Sequence, residues 1–264
     1  MEAGIPVLQP ERLKDPDFLE QLASSRAQLQ IVVAFRMLPE QVWNMPPMGT
    51  FNLHASLLPQ YRGAAPINWA IINGDSETGV TTFFLKHEID TGDIIHRESL
   101  PILDTDNAGT LHDKLMELGS KLCCRTVQDI LDGNVHPVSQ CEIPQDELRP
   151  APKIFKETCR IDWNMPARRV FDFIRGMSPY PAAWTSLEDI DGNAQDFKIF
   201  SVSETGKSFG EPGTVHTDGR RKIEVVCGDG NAVSLHEVQI AGRRRMSVQD
   251  FLCGSPICEG YHMK

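Results

Sequence analysis

The seven cysteines, Cys123, Cys124, Cys141, Cys159, Cys227, Cys253 and Cys258, contain no C-x-x-C pair. A zinc ribbon or a thioredoxin-type redox site needs that spacing, so neither is indicated and no metal is expected. Their odd number and scattered positions fit reduced thiols of a cytoplasmic protein, not a disulfide framework. No apolar run approaches the roughly 18 residues that span a membrane. The start, Met1-Glu2-Ala3-Gly4-Ile5-Pro6, lacks the basic and apolar regions of a secretory signal. Basic residues are scarce as well: 26 Lys and Arg stand against 36 Asp and Glu, a net charge of −10. Wholesale coating of nucleic acid would need the opposite excess. No internal repeat or low-complexity tract is present. Gly228-Asp229-Gly230 is a turn, not a phosphate loop, because no helix follows it.

What is present is globular. The 264 residues are 41% hydrophobic and 23% charged, enough for two modest domains. Residues 1–150 carry 11 basic and 21 acidic groups, and residues 151–264 carry 15 of each, so the acid excess lies wholly in the first part. Asp15 and Pro16 open a predicted helix over Pro16–Ala23. The apolar run Leu29–Phe35 reads as a parallel strand buried on both faces. A short helix over Pro39–Asn44, a strand over Gly49–His54 and a helix over Pro66–Asn73 follow. Gly79–Leu85 and Ile94–Ser99 read as a hairpin around Asp90-Thr91-Gly92-Asp93. Thr110–Asp132 is the longest predicted helix, stopped by Gly133. From Pro137 to Pro152 four prolines punctuate polar residues, which reads as a linker. A helix over Pro166–Arg175 then precedes five short strands: Ala183–Leu187, Phe197–Val202, Gly213–His216, Lys222–Cys227 and Ala232–Ile240. That spacing suits a small barrel or sandwich.

The chemistry-bearing segment is Phe51-Asn52-Leu53-His54-Ala55-Ser56-Leu57-Leu58-Pro59. Asn52 and His54 are two apart on a strand and so share a face. They lie at its C-terminal end, where ligands sit in open α/β sheets. Asp90 comes at the end of another strand. Such a trio can run acyl transfer to an amine by direct attack. Amide and imidazole N–H groups donate to the oxygen that becomes negative in the tetrahedral intermediate. The carboxylate holds the imidazole in the needed tautomer and helps remove the amine proton. Ser56 lacks the turn of a nucleophilic serine and reads as a helix cap. His112 and His136 read as surface residues. His87 and His96 could pair on a metal with Asp90 or Asp93, but no third ligand is tightly spaced.

Three blocks add a resemblance: Asn52 to Ile67, Gly74-Asp75-Ser76-Glu77-Thr78-Gly79-Val80-Thr81, and Asp90-Thr91-Gly92-Asp93-Ile94. In order and spacing they resemble the folate-dependent formyltransferases, and among these the methionyl-tRNA formyltransferase family. Ser178 to Thr185, Gly213-Thr214-Val215, Cys227 to Gly230 and Val238 to Arg243 resemble that family's C-terminal domain. The resemblance implies an α/β Rossmann-like formyltransferase domain, N-terminally incomplete, over 1–142, and a linker over 143–160. A small OB-like β-barrel that binds tRNA follows over 161–258. It implies 10-formyltetrahydrofolate as donor and the α-amino group of initiator methionyl-tRNA as acceptor. Tetrahydrofolate would be the product, in a cytoplasmic monomer with no membrane or metal. Asn52, His54 and Asp90 match the catalytic trio. Phe35, Arg36, Met37, Leu38, Ser56, Leu57, Leu58, Pro59 and Ile89 match the folate pocket.

By the same resemblance, tRNA contacts are expected from Arg62, Arg168, Arg169, Arg220, Arg221, Lys222, Arg243, Arg244 and Arg245. These residues are basic concentrations of the kind that meet a phosphate backbone. The family's opening strand with its Gly-rich turn, and the next strand and helix, have no counterpart. The resemblance thus implies that about 60 residues, two βα units of about 30 each, are absent from this sequence. A sheet cut there exposes an edge. Two other readings stay open: a sugar-nucleotide amine N-formyltransferase of the same superfamily, or a non-catalytic tRNA- or folate-binding module.

Overall fold

A computed structural model describes residues 4–33, 37–143, 147–255 and 257–264. In chain order its elements are α1 (Pro16–Ser24), β1 (Gln30–Val33), α2 (Glu40–Trp43), β2 (Thr50–His54), α3 (Pro66–Ile72), β3 (Glu77–Phe84), β4 (Ile94–Pro101) and α4 (Ala108–Leu131). Then come α5 (Ala167–Met177), β5 (Ala183–Glu188), β6 (Ala194–Lys207), β7 (Val215–Thr217), β8 (Ile223–Val226), β9 (Asn231–Ile240), β10 (Met246–Ser247), α6 (Val248–Gly254) and β11 (His262–Met263). They fall into two compact units. One is Met1–Gly63, Gly79–Ser99 and Leu115–Pro150; the other is Ala64–Thr78, Leu100–Lys114 and Ala151–Lys264. Among the described residues no helix is long and apolar enough to cross a membrane.

The first unit is built on a four-stranded sheet in the order β1-β2-β3-β4. β1 runs parallel to β2, with Val32 opposite Asn52, and β2 runs antiparallel to β3, with His54 opposite Thr81. One face carries Phe51, packed with Ile95 of β4 and Ile130 of α4. Thr82, on the same face, exchanges a hydroxyl hydrogen bond with Thr126 of that helix at 2.9 Å. Gly119 lets α4 approach, since a Cβ there would stand 2.9 Å from Leu53. Asn52 and His54 point to the opposite face, as the period-two rule requires.

One expectation fails here. β1 is not buried on both faces: Ile31 and Val33 are 44% and 57% exposed, and only Val32 is buried. The strand is the sheet's edge, so its apolar run has a neighbour on one side only. Ala34, Phe35 and Arg36 lie outside the described residues. Asp15 caps α1 as expected, its carboxylate accepting from the Asp17 N–H at 3.0 Å.

The second unit is a seven-stranded sheet whose path runs β11-β5-β6-β9-β8-β7, with β10 paired to β9. Its two ends meet. Met263 N–H donates to the Gly213 carbonyl at 2.8 Å, and Thr214 bridges His262. The sheet is therefore nearly closed and barrel-like. Alternate residues fill it, among them Phe197, Ile199, Val225, Val233 and Leu235, and a register shift between β6 and β9 brings Val202 and Val238 inward as well. Val170, Ile174 and Met177 of α5 join that core, with Phe251 of α6.

Candidate active site

β2 delivers Asn52 and His54, 5% and 6% exposed, to the face opposite α4. The chain then turns sharply. Ser56 Oγ donates to the Gln60 carbonyl at 2.6 Å, so this hydroxyl closes a loop and caps no helix, contrary to expectation. Thr81 of β3 pins the same loop, donating to the Ser56 carbonyl at 2.6 Å and accepting from the Leu58 N–H at 3.1 Å. The turn ends at Tyr61, whose φ is +59°. A bulky residue holds that left-handed geometry only when its surroundings impose it. Here the Tyr61 N–H donates to the Arg149 carbonyl at 2.7 Å.

That turn aims the Tyr61 carbonyl at His54 Nε2, 2.9 Å away. A carbonyl only accepts, so Nε2 carries the proton. The other ring nitrogen, Nδ1, faces Asp90 Oδ2 at 4.0 Å. The imidazole's tautomer is therefore held by the main chain at Tyr61. Sequence reasoning assigns that task to Asp90, which stands beyond hydrogen-bond distance.

Asp90 also has a left-handed φ, +54°. Its Oδ2 accepts from the Gly63 N–H at 3.0 Å. Behind it, Gln140 is 1% exposed and donates from Nε2 to the carbonyls of Asp90 (2.9 Å) and Gly92 (2.8 Å). Gln140 Oε1 accepts from Arg62 Nε at 3.1 Å and Nη2 at 2.5 Å. Gly92 is needed for a close approach, since a Cβ there would stand 1.6 Å from the Phe84 carbonyl. Asn52 Oδ1 is buried with no hydrogen-bond partner among the described residues. An orphaned buried acceptor costs about 1–3 kcal/mol, and an incoming N–H group removes that cost.

The other expected residues scatter. Met37 and Ile89 are exposed, Leu38 and Leu57 half-buried. Leu58 is fully buried against Phe83 and Ile94, so it supports the loop from beneath. Pro59 is buried too. Phe35 and Arg36 lie outside the described residues. His87 and His96 go separate ways: His87 lies 3.6 Å from Glu40 and edge-on to Trp43, while His96 bonds Asp129 at 2.8 Å. His112 and His136 are exposed. All seven cysteines are free. Burial pushes the Cys227 thiol up to about 12, so it is inert.

The basic residues divide by their partners. Arg168 is spent within the second unit on Asp104, Asp172 and Glu204, and it holds the Asp104 carboxyl below its usual range. Arg245 pairs with Glu237 and covers the Phe200 ring. Lys222 pairs with Glu224, and Arg243 bonds Ser255. Arg220 and Arg221 ride an exposed turn between β7 and β8. There Asp218 is held down to about 2 by the main-chain N–H groups of Arg221, Arg220 and Lys222. Arg169 is half-buried and Arg244 exposed.

Sequence reasoning misses Gln140 and the Tyr61 carbonyl. Gln140 lies in a stretch that reads as a linker, although Val138 beside it bridges Ile94. A main-chain acceptor leaves no trace in residue type. A second omission is β10, α6 and β11; the two strands are only two residues long, but α6 does carry a signal, the Ser247 cap and Val248, Phe251 and Leu252 at helical spacing.

Comparison with known proteins completes the picture. Residues 2–127 match the family described as "Formyl transferase", and residues 153–256 match "Formyl transferase, C-terminal domain". The methionyl-tRNA formyltransferase of Parabacteroides distasonis is 58% identical over 96% of this chain and 79% of its own length. That of Bacteroides thetaiotaomicron is 57% identical over 100% of this chain and 82% of its own. Among solved structures, HypX from Aquifex aeolicus in complex with tetrahydrofolic acid superposes with a TM-score of 0.65 at 21% identity. That match covers 90% of this chain and 41% of the HypX chain, and it speaks for the fold alone. With both domain families matched in order, the chain belongs to the formyltransferase family, among the methionyl-tRNA formyltransferases.

Proposed function

We propose that this chain transfers the formyl group of 10-formyltetrahydrofolate to the α-amino group of methionine on initiator tRNA. The observation that carries this reading is the 58% identity to a methionyl-tRNA formyltransferase over 96% of the chain. The geometry around Asn52, His54 and Asp90 agrees with it. Folate supplies an activated formyl carbon. The amine attacks that carbon, a new C–N bond forms, the bond to the folate N10 breaks, and one proton moves from the amine to the leaving nitrogen.

Each chain group has a task. Asn52 donates from its amide nitrogen to the formyl oxygen as charge grows there. A preorganised donor of this kind is worth about 2.7–4 kcal/mol. Its orphaned Oδ1 accepts from the incoming amine. His54 keeps Nε2–H on the Tyr61 carbonyl and presents Nδ1 toward Asp90. Nδ1 and Asp90 together take the amine proton and return it to the leaving group. Met37 and Ile89 offer exposed apolar surface to the folate ring, with Leu38 and Leu57 shaping the rim and the buried Ser56, Leu58 and Pro59 holding the loop beneath it. Phe35 and Arg36 keep the same assignment from the sequence.

The same reading makes the first sheet Rossmann-like and the second an OB-like barrel. It assigns residues 1–142 to catalysis, 143–160 to a linker and 161–258 to tRNA. The setting is a cytoplasmic monomer. Of the basic residues, Arg220, Arg221 and Arg244 are the best placed to meet phosphates, since Arg62, Arg168 and Arg245 are engaged elsewhere. The test is an acceptor assay. The chain is incubated with 10-formyltetrahydrofolate and either methionyl-tRNA or a nucleotide-linked amino sugar. Formylmethionine released on ester hydrolysis supports the reading; formylation of the sugar alone overturns it.

A further inference from the structure

We propose that Gln140 is a positioning residue for the transfer step: it fixes Asp90 opposite His54 and ties that arrangement to Arg62. This rests on the proposed role of Asp90. The carboxamide is almost wholly enclosed, and both its ends are used. Its nitrogen has two N–H groups, and each meets one carbonyl of the Asp90-Thr91-Gly92 turn. One of those carbonyls belongs to Asp90 itself, the residue with left-handed φ, so the two bonds set the backbone from which its carboxylate projects. The Gln140 oxygen takes two donors from the Arg62 guanidinium. Arg62 is the immediate neighbour of Gly63, whose N–H holds Asp90 Oδ2. One side chain thus fixes the carboxylate's own backbone and the backbone of the group that holds it.

Only a primary amide of this length meets these demands. Glutamate keeps the shape and the Arg62 contact but has no N–H for the two carbonyls. Each carbonyl then faces a carboxylate oxygen, and the turn is pushed out of place. Because the effect passes through Asp90, it falls on the chemical step and not on substrate binding.

The experiment compares Gln140→Glu with Asp90→Asn in the full chain. Formyl transfer is read as kcat and as KM for each substrate. Exchange of the Gly63 amide is read by NMR. Gln140→Glu is expected to lower kcat by about tenfold or more, as a displaced acid-base group does, with both KM values unchanged. The Gly63 amide is expected to exchange faster while core amides such as Phe83 do not. That second readout stands whatever the turnover.

Wild-type kcat and unchanged Gly63 exchange in Gln140→Glu, with Asp90→Asn inactive, overturn the inference and leave the role of Asp90 standing. Full activity in Asp90→Asn overturns both. If Gln140→Glu does not fold, Gln140→Met, which buries no charge, is read in the same way. Failure of both to fold assigns Gln140 to folding and overturns its positioning role.

Discussion

His54 Nε2 lies 2.9 Å from the main-chain carbonyl of Tyr61, and this contact decides which ring nitrogen carries the proton. With Nε2 committed as donor, Nδ1 is the atom turned to Asp90, 4.0 Å away. In the proposed mechanism Asp90 is then a proton-handling group beside the imidazole, and at 4.0 Å it is not the imidazole's orienter. Asp90→Asn keeps an oxygen for the Gly63 N–H but cannot take a proton. The expected loss in kcat is about 10²–10⁴-fold, with KM little changed. Steady-state formylation kinetics with a melting curve on the same sample check this; a variant that folds and turns over like wild type contradicts it.

A second expectation concerns stability. Asp172 and Arg175 form a buried ion pair at 2.8 Å, with side chains 3% and 8% exposed. Arg175 also donates to the carbonyls of Leu103 and Asp106, both at 3.0 Å. Asp172→Ala strands a buried guanidinium, and Arg168 loses a partner as well. The expected cost is about 3–5 kcal/mol. Urea unfolding checks it, and a smaller loss in the double variant with Arg175→Met is the sign that the stranded charge is the cause.

Acid sensitivity follows from the turn between β7 and β8. Asp218 is held at about 2, below its unfolded value of 3.8, by three main-chain N–H groups. A carboxyl depressed in the folded state stabilises it fully above the unfolded value. That contribution is lost as pH falls through the folded value. The window is therefore about pH 4 to 2. Asp218→Asn keeps an acceptor but does not titrate, so its melting temperature is expected to fall less steeply across that window. Parallel acid melts of the two proteins measure the difference.

For tRNA, the partners of each arginine matter more than their clustering. Reversing Arg220, Arg221 and Arg244 to Glu is expected to weaken tRNA binding and flatten its salt dependence. The slope of log K against log salt becomes shallower by about 0.7–0.9 for each phosphate no longer neutralised. Folate binding stays unchanged. Arg168→Glu is expected to act on stability instead, through Asp104 and Asp172. Filter binding over a salt series with unfolding curves separates the two effects.

Much of this is legible in residue order. α4 declares itself by apolar spacing and Gly133. The Asn52-x-His54 pair declares itself by strand periodicity, and the five barrel strands by their turns. β1 misleads because an apolar run looks the same at a sheet's edge as at its centre; the neighbour decides, and Ile31 and Val33 have none on one side. Gln140 is hidden because its importance lies in two distant carbonyls, and a glutamine among prolines reads as solvent-facing. Arg168 misleads for a related reason. A basic pair in sequence says nothing of Asp104, 64 residues away.

The most direct measurement is formyl transfer from 10-formyltetrahydrofolate to methionyl-tRNA by the chain and by His54→Ala. The expected result is formylmethionine from the wild-type chain and a loss of about 10²–10⁴-fold in the variant, the size of a missing acid-base group. Equal rates of formylmethionine formation from the two folded proteins would contradict the assignment of this site.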